Sequence, residues 1–139
     1  MPFFGPEMPL PAMEPDTREF WENCKQHKLT VQRCIPCGAY RFAPSPMCYD
    51  CQSQKYEWVE SQGIAEVYTW IIVHHATHPA VAGVTPYNAA VVRLLDCGGA
   101  KMMTNLVGVD NDAIEAGMKV EVEWDDVTPE VTVPRFRPI

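Results

Sequence analysis

The sequence lacks a long apolar run: no stretch approaches the roughly 20 residues that a membrane-crossing helix needs. It is also short of positive charge. Eleven Lys and Arg stand against 18 Asp and Glu, for a net charge of −7. The basic residues are scattered, and an acidic surface repels nucleic acid unless a basic patch is set aside for it, so no nucleic-acid partner is expected. The first fifteen residues, MPFFGPEMPLPAMEP, have neither a basic n-region nor a long apolar h-region. They do not read as a signal peptide, and a cytoplasmic chain without a membrane partner is expected. Phosphate-cradling and nucleophile-elbow motifs are missing as well: there is no Walker loop, no GxGxxG and no GxSxG.

What is present is enough apolar material for a core. Hydrophobic residues make up 47% of 139 residues, which suits one compact unit or two very small modules. Residues 1–15 hold five of the 13 prolines and read as an extended arm, with Phe3, Phe4, Met8, Leu10 and Met13 free to pack on the chain itself or on a partner. Asp16 or Thr17 is a candidate cap for a helix over 16–29. Phe20, Trp21 and Cys24 follow at helical spacing, either for packing or for docking on a partner. Residues 30–56 are rich in Cys, Pro and Gly, with little material for a core, and such a segment needs a staple.

From residue 57 to 139 the pattern is that of strands. Ala65–Val73, Ala89–Leu95, Lys101–Val107, Met118–Trp124 and Thr128–Phe136 are the candidates. Asp96-Cys97-Gly98-Gly99 has hairpin-turn composition, and a short helical turn is expected over Asn111–Glu115. Five strands with a small helix between the third and fourth is the order of an OB-type barrel. The fold class is therefore mostly β: an N-terminal helix, a cysteine-rich segment over 30–56 and a C-terminal five-stranded OB barrel.

The six cysteines are not expected to be disulfides in a reducing compartment. Cys34-x-x-Cys37-Gly38 and Cys48-x-x-Cys51 are two CxxC turns separated by ten residues. Two cysteines three apart on a tight turn aim both sulfurs at one ion, and a second such turn completes a tetrahedron. Zinc, ahead of rubredoxin-like iron, is the metal this donor set favours, one per chain. A redox CxxC pair needs a helix N-terminus, which the prolines and glycine here argue against. A closed four-cysteine site leaves no open coordination position, so its role is structural. Arg33 and Arg41 are candidates to offset the doubly negative centre. Cys24 and Cys97 fall outside the pattern and have no visible His and Asp neighbours. His74 and His75 alternate faces if on a strand, whereas His74 and His78 converge only if the chain turns at Pro79. A polar strand end, a second metal site or an acid–base role all stay open for them. No catalytic residue is assigned.

The residues resemble a known family. A Phe20-Trp21 helix, Arg33-Cys34-x-x-Cys37-Gly38, Pro44-x-Pro46-x-Cys48-x-x-Cys51 and Gly63-Ile64-Ala65-Glu66-Val67-Tyr68-Thr69-Trp70 are similar to the acyl-CoA-associated zinc-ribbon/OB-fold proteins, formerly a domain of unknown function. Pro86-Tyr87, Arg93-Leu94-Leu95-Asp96-x-Gly98-Gly99, Asn105–Gly108, Gly117–Val122 and Pro134-x-Phe136 continue the match over residues 16–138. Tyr49 stands where the family usually has proline. The resemblance implies a short N-terminal helical part, a rubredoxin-like zinc ribbon and a C-terminal OB domain, in a non-catalytic accessory subunit that assembles with a thiolase-superfamily partner as a hetero-oligomer built on a partner dimer. That partner holds the catalytic residues for acyl transfer, thiolysis or retro-aldol shortening of steroid side chains held as CoA esters. The acyl-CoA lies in a channel the two subunits share. Candidate partner- or acyl-CoA-facing residues are Phe20, Trp21, Tyr68, Trp70, Tyr87, Asn88 and Phe136. A free-standing acyl-CoA binding module and a single-strand nucleic-acid binder are the alternatives.

Overall fold

The computed structural model describes residues 3–139, so the first two residues of the proline arm lie outside it. One helix, α1 (Arg18–Lys25), precedes eight strands: β1 (Leu29–Cys34), β2 (Tyr40–Arg41), β3 (Tyr56–Ser61), β4 (Ile64–Val73), β5 (Tyr87–Leu94), β6 (Lys101–Thr104), β7 (Lys119–Asp126) and β8 (Thr132–Pro138). Single 3₁₀ turns lie at Pro79–Val81 and Asn111–Ala113. No helix among the described residues is long and apolar enough to cross a membrane.

The helix is shorter than the pattern suggested. It ends at Lys25, and His27 adopts φ 58°, which reverses the chain. Leu29 and Thr30 then enter β1, where both are buried. Backbone pairing across a sheet outcompetes a last helical turn that has little apolar surface to bury.

β1 is the centre of a three-stranded antiparallel sheet in the order β2-β1-β3. β3 pairs with β1 along its full length, from Leu29 opposite Ser61 to Cys34 opposite Tyr56. The sheet beside the paired cysteines thus includes residues beyond 56.

The second sheet runs β6-β5-β4-β7-β8. β5 alternates cleanly: Asn88, Ala90, Val92 and Leu94 are buried, and the residues between them are not. β4 cannot alternate so simply. Its pairing with β5 slips between Val67 and Thr69, leaving Tyr68 as a bulge residue. Ala65 and Val67 point inward before the bulge, whereas Trp70 and Ile72 lie opposite the buried Ala90 and Asn88 after it. A bulge of this kind bends a strand and increases its twist, as a barrel requires.

Closure comes from the chain after β6. That strand stops at Thr104, three residues earlier than the sequence pattern suggested, because the chain crosses to β8. Leu106 makes a parallel bridge with Phe136, and the Val107 N–H donates to the Phe136 carbonyl at 2.8 Å. β8 begins later than expected, at Thr132, since Thr128–Val131 forms the turn after β7. One apolar cluster runs through both sheets and includes Phe20, Leu29, Val31, Val67, Leu94 and Phe136. Gly98 (φ +63°) docks the β5–β6 hairpin on the ribbon: a Cβ there would lie 2.6 Å from the ring of Tyr40.

Candidate metal centre

The two CxxC turns are built on one backbone plan. In the first, the Gly38 N–H donates to the Cys34 carbonyl (2.8 Å) and the Cys34 N–H donates to the Ala39 carbonyl (2.8 Å). In the second, Gln52 donates to the Cys48 carbonyl (3.0 Å) and Cys48 donates to the Ser53 carbonyl (2.9 Å). The residue after each second cysteine is left-handed, Gly38 at φ +75° and Gln52 at φ +64°. Glycine takes this conformation without a Cβ penalty, whereas nothing in a glutamine signals it in sequence.

The loop leading to the second turn is held by β1 and β2. Gln32 accepts from the Ser45 N–H at 2.8 Å, and Arg41 donates to the Ser45 carbonyl through two nitrogens. Arg41 is buried against the ring of Tyr56, and the exposed Arg33 faces Glu57.

These supports bring all four cysteine sulfurs within 4.8 Å of one another. Cys34 and Cys51 lie 3.4 Å apart, and Cys37 and Cys48 3.6 Å apart. Disulfide sulfurs would be about 2.05 Å apart. Zn–S bonds of about 2.3 Å give a tetrahedral edge of about 3.8 Å, close to both separations. The electrostatics fit a cation too. The N–H groups of Cys51 and Asp50 pull the Cys48 thiol down to about 6. At Cys34 and Cys37 the N–H groups of Cys37 and Ala39 also pull downward, but burial and the neighbouring sulfurs outweigh them and leave both thiols raised. Four clustered thiols resist full ionisation, and a divalent ion removes that resistance.

Two family models match this chain consecutively. Residues 21–57 match the ChsH2 rubredoxin-like zinc ribbon domain, and residues 58–125 match the ChsH2 C-terminal OB-fold domain. The chain belongs to the ChsH2 (DUF35) zinc-ribbon/OB-fold family. A solved structure described as the Ltp2-ChsH2(DUF35) aldolase aligns with a TM-score of 0.83 and 41% identity, covering 92% of this chain and 98% of that one. The probable enoyl-CoA hydratase alpha subunit of Thermomonospora curvata is 42% identical over 130 residues, 94% of this chain. The 3-oxo-4,17-pregnadiene-20-carboxyl-CoA hydratase alpha subunit of Mycobacterium tuberculosis is 34% identical over 120 residues, 86% of this chain. The chain spans only 40% and 37% of the lengths of these two relatives.

In this ChsH2-type chain, three of the residues expected to face a partner or the acyl-CoA are buried within the chain. Phe20 is 2% exposed and Phe136 is 0% exposed, both inside the shared core. Asn88 is buried as well: its amide donates to the Leu106 carbonyl (2.8 Å) and accepts from the Leu106 N–H (2.6 Å). It braces the crossing that closes the barrel. Their spacing alone did not distinguish a docking face from a packing face.

Trp21 is half-buried beside Phe20 and lines an apolar cavity of about 290 Å³ with Phe42, Pro44, Met102 and Val133. Trp70 leans on the core, and Tyr87 packs edge-on against Phe4 of the arm (5.2 Å). Tyr68 is exposed, with the Lys101 Nζ 4.4 Å from its ring centre.

Among the described residues the four-cysteine group is the only cluster of three or more candidate ligands. His74 and His75 are exposed, and His78 caps the Pro79–Val81 turn by accepting from the Ala80 N–H. Burial pushes the Cys24 thiol up to about 12. Burial and the Asp96 charge push Cys97 up to about 11, so neither sulfur is nucleophilic at neutral pH.

Sequence reading missed a buried pair at the barrel end: Arg135 donates to Asp125 (3.3 Å) and to Asn105 (2.7 Å). The arm closes over it. Phe3 and Phe4 lie against the Arg135 guanidinium, and the Phe3 N–H donates to Asp125.

Proposed function

We propose that this chain is a non-catalytic accessory subunit of a thiolase-like enzyme that acts on acyl-CoA thioesters. Its role is to support assembly of the partner and to complete the substrate channel. The observation that carries this is the near full-length likeness, at 41% identity, to the ChsH2(DUF35) component of a solved aldolase complex. The internal chemistry is compatible: the chain's burial and hydrogen bonds are spent on holding two small sheets together, and its two cysteines outside the ribbon are electrostatically quenched.

Cys34, Cys37, Cys48 and Cys51 hold one structural zinc in this reading, and the ion's contribution is to fix the ribbon's shape. Retro-aldol cleavage of a β-hydroxyacyl-CoA is the favoured partner reaction. Enoyl-CoA hydration is a second reading, favoured by the names of the two hydratase alpha subunits.

The test is reconstitution. The purified chain should contain one equivalent of zinc and turn over neither substrate. Adding a thiolase-superfamily subunit should produce carbon–carbon cleavage. Cleavage by the chain alone would overturn the proposal, and hydration on adding a hydratase subunit, without cleavage, would favour the second reading.

A further inference from the structure

From Val67 to Val92 the chain runs for 26 residues without a single Asp, Glu, Lys or Arg, although 21% of the whole sequence is charged. The fold sets alternate residues of this stretch's two strand segments, on β4 and β5, side by side on one outer surface. Opposite the inward row of Trp70, Ile72, Asn88 and Ala90, the outward rows are Val73 beside Tyr87, Ile71 beside Ala89, and Thr69 beside Val91. Val91 in turn lies beside Met103 of β6. Ile71 is 63% exposed and Met103 75% exposed. The Tyr68 bulge adds an aromatic ring, 49% exposed, to the same surface.

A row of charge ends the apolar face. Lys119, Glu66, Arg93 and Lys101 are neighbours across β7, β4, β5 and β6. Glu66 pairs with both Arg93 and Lys119. Lys101 has no carboxylate partner among the described residues and rests over Tyr68. The row therefore carries an excess of positive charge in a chain whose net charge is −7.

We infer that the outer face of β4, β5 and β6 is the docking surface for the catalytic partner, a protein that presents an apolar patch with a carboxylate facing Lys101. The inference rests on the function proposed above. The open sheet face favours a protein over a small molecule, because ligand sites are concave and enclose most of their ligand. From Glu66 to Val73 the face is about 24 Å long, enough for the apolar centre of a standard interface whose rim supplies the remaining area. A second copy is disfavoured because two chains of net charge −7 repel each other. A partner carboxylate at the Lys101 end supplies the charge this chain leaves unmatched and fixes the docking register.

The experiment measures binding of the zinc-loaded chain to a thiolase-superfamily subunit from the same organism. Ile71→Glu and Met103→Glu lie on different strands and are both exposed, so each should fold with unchanged zinc content and melting temperature. Each is expected to weaken Kd by about a hundredfold, and Lys101→Glu by about tenfold. Ile35→Glu, at an exposed position on the first cysteine turn, should bind as the unaltered chain does. If the unaltered chain binds and both Ile71→Glu and Met103→Glu bind equally well, the inference falls and the proposed function stands. If the unaltered chain binds no such subunit, both fall. A homodimer that Ile71→Glu dissociates would assign the face to a second copy and overturn the inference.

Discussion

The ribbon loops and the barrel differ in what holds them. From Ile35 to Lys55 the only buried residues are Arg41 and Cys48, and the order of that segment depends on hydrogen bonds around Ser45 and on four converging sulfurs. The barrel instead buries an apolar row from nearly every strand, including Val67, Val92, Leu94, Val120 and Phe136. A segment of twenty residues without a core is ordered by a strong point interaction, whereas eighty residues can be ordered by many weak ones.

The sharpest way to break this comparison is to remove one sulfur. Cys37→Ser should lower zinc below half an equivalent and abolish hydrogen-exchange protection at Gly38 and Gln52. Amides of Val67, Val92 and Val120 should stay protected. The effect is the largest expected, since zinc contributes about 10–16 kcal/mol of apparent folding energy in zinc-finger peptides. Uniform loss of protection across both sheets would show that the barrel depends on the metal as well.

Phe136→Ala attacks the other side. It empties the junction of β8 with the β6 crossing and should cost about 3–5 kcal/mol by urea denaturation, without loss of zinc. Asn88→Ala leaves the Leu106 N–H and carbonyl unpaired inside the barrel, with an expected cost of about 1–3 kcal/mol in the same assay.

Within the ribbon, the matched turns allow a smaller comparison. Gln52→Gly should stabilise the zinc-loaded protein by about 0.5 kcal/mol, because the exposed side chain gives up little and the left-handed backbone is relieved. Gly38→Ala should destabilise it by about 1 kcal/mol through φ strain alone, as the added Cβ would meet only Arg33 at 3.6 Å. Both are read from thermal unfolding with zinc present.

The smallest effect is a pH dependence on the barrel surface. Hydrogen bonds from Arg93 and Lys119 hold the Glu66 carboxyl below its ordinary 4.5. A depressed carboxylate contributes stability above its unfolded pKa and loses it as the pH falls through the folded value. The melting temperatures of the unaltered chain and Glu66→Gln should therefore differ slightly at neutral pH, with the difference lost as the pH falls through the depressed folded value, below the ordinary carboxylate range.

The barrel strands were legible because apolar periodicity is a local signal: the run Ala65–Val73 falls within β4, and the alternation from Met118 to Trp124 overlaps β7, which starts one residue later and ends two residues later. The paired CxxC turns were legible because their ligand spacing is short and specific. The helical pattern runs on to residue 29, but Leu29 joins β1 because β3, some thirty residues later, pairs with it. Phe20, Asn88 and Phe136 read in sequence as candidates to face a partner or the acyl-CoA, yet all three are buried within the chain. An aromatic or an amide looks the same in sequence whether its neighbour is another subunit or the far side of a barrel.

The sequence by itself determined the grouping of the four cysteines into two CxxC turns, the run of barrel strands along the chain and the family to which the chain belongs, because each is written in residue types at short separations. Tertiary structure alone decided which aromatics are core, how the Tyr68 bulge inverts the two faces of β4, and how alternate residues of an uncharged stretch come to share one outer surface. Those outcomes depend on strand register, and register is set by pairings between residues far apart in the chain.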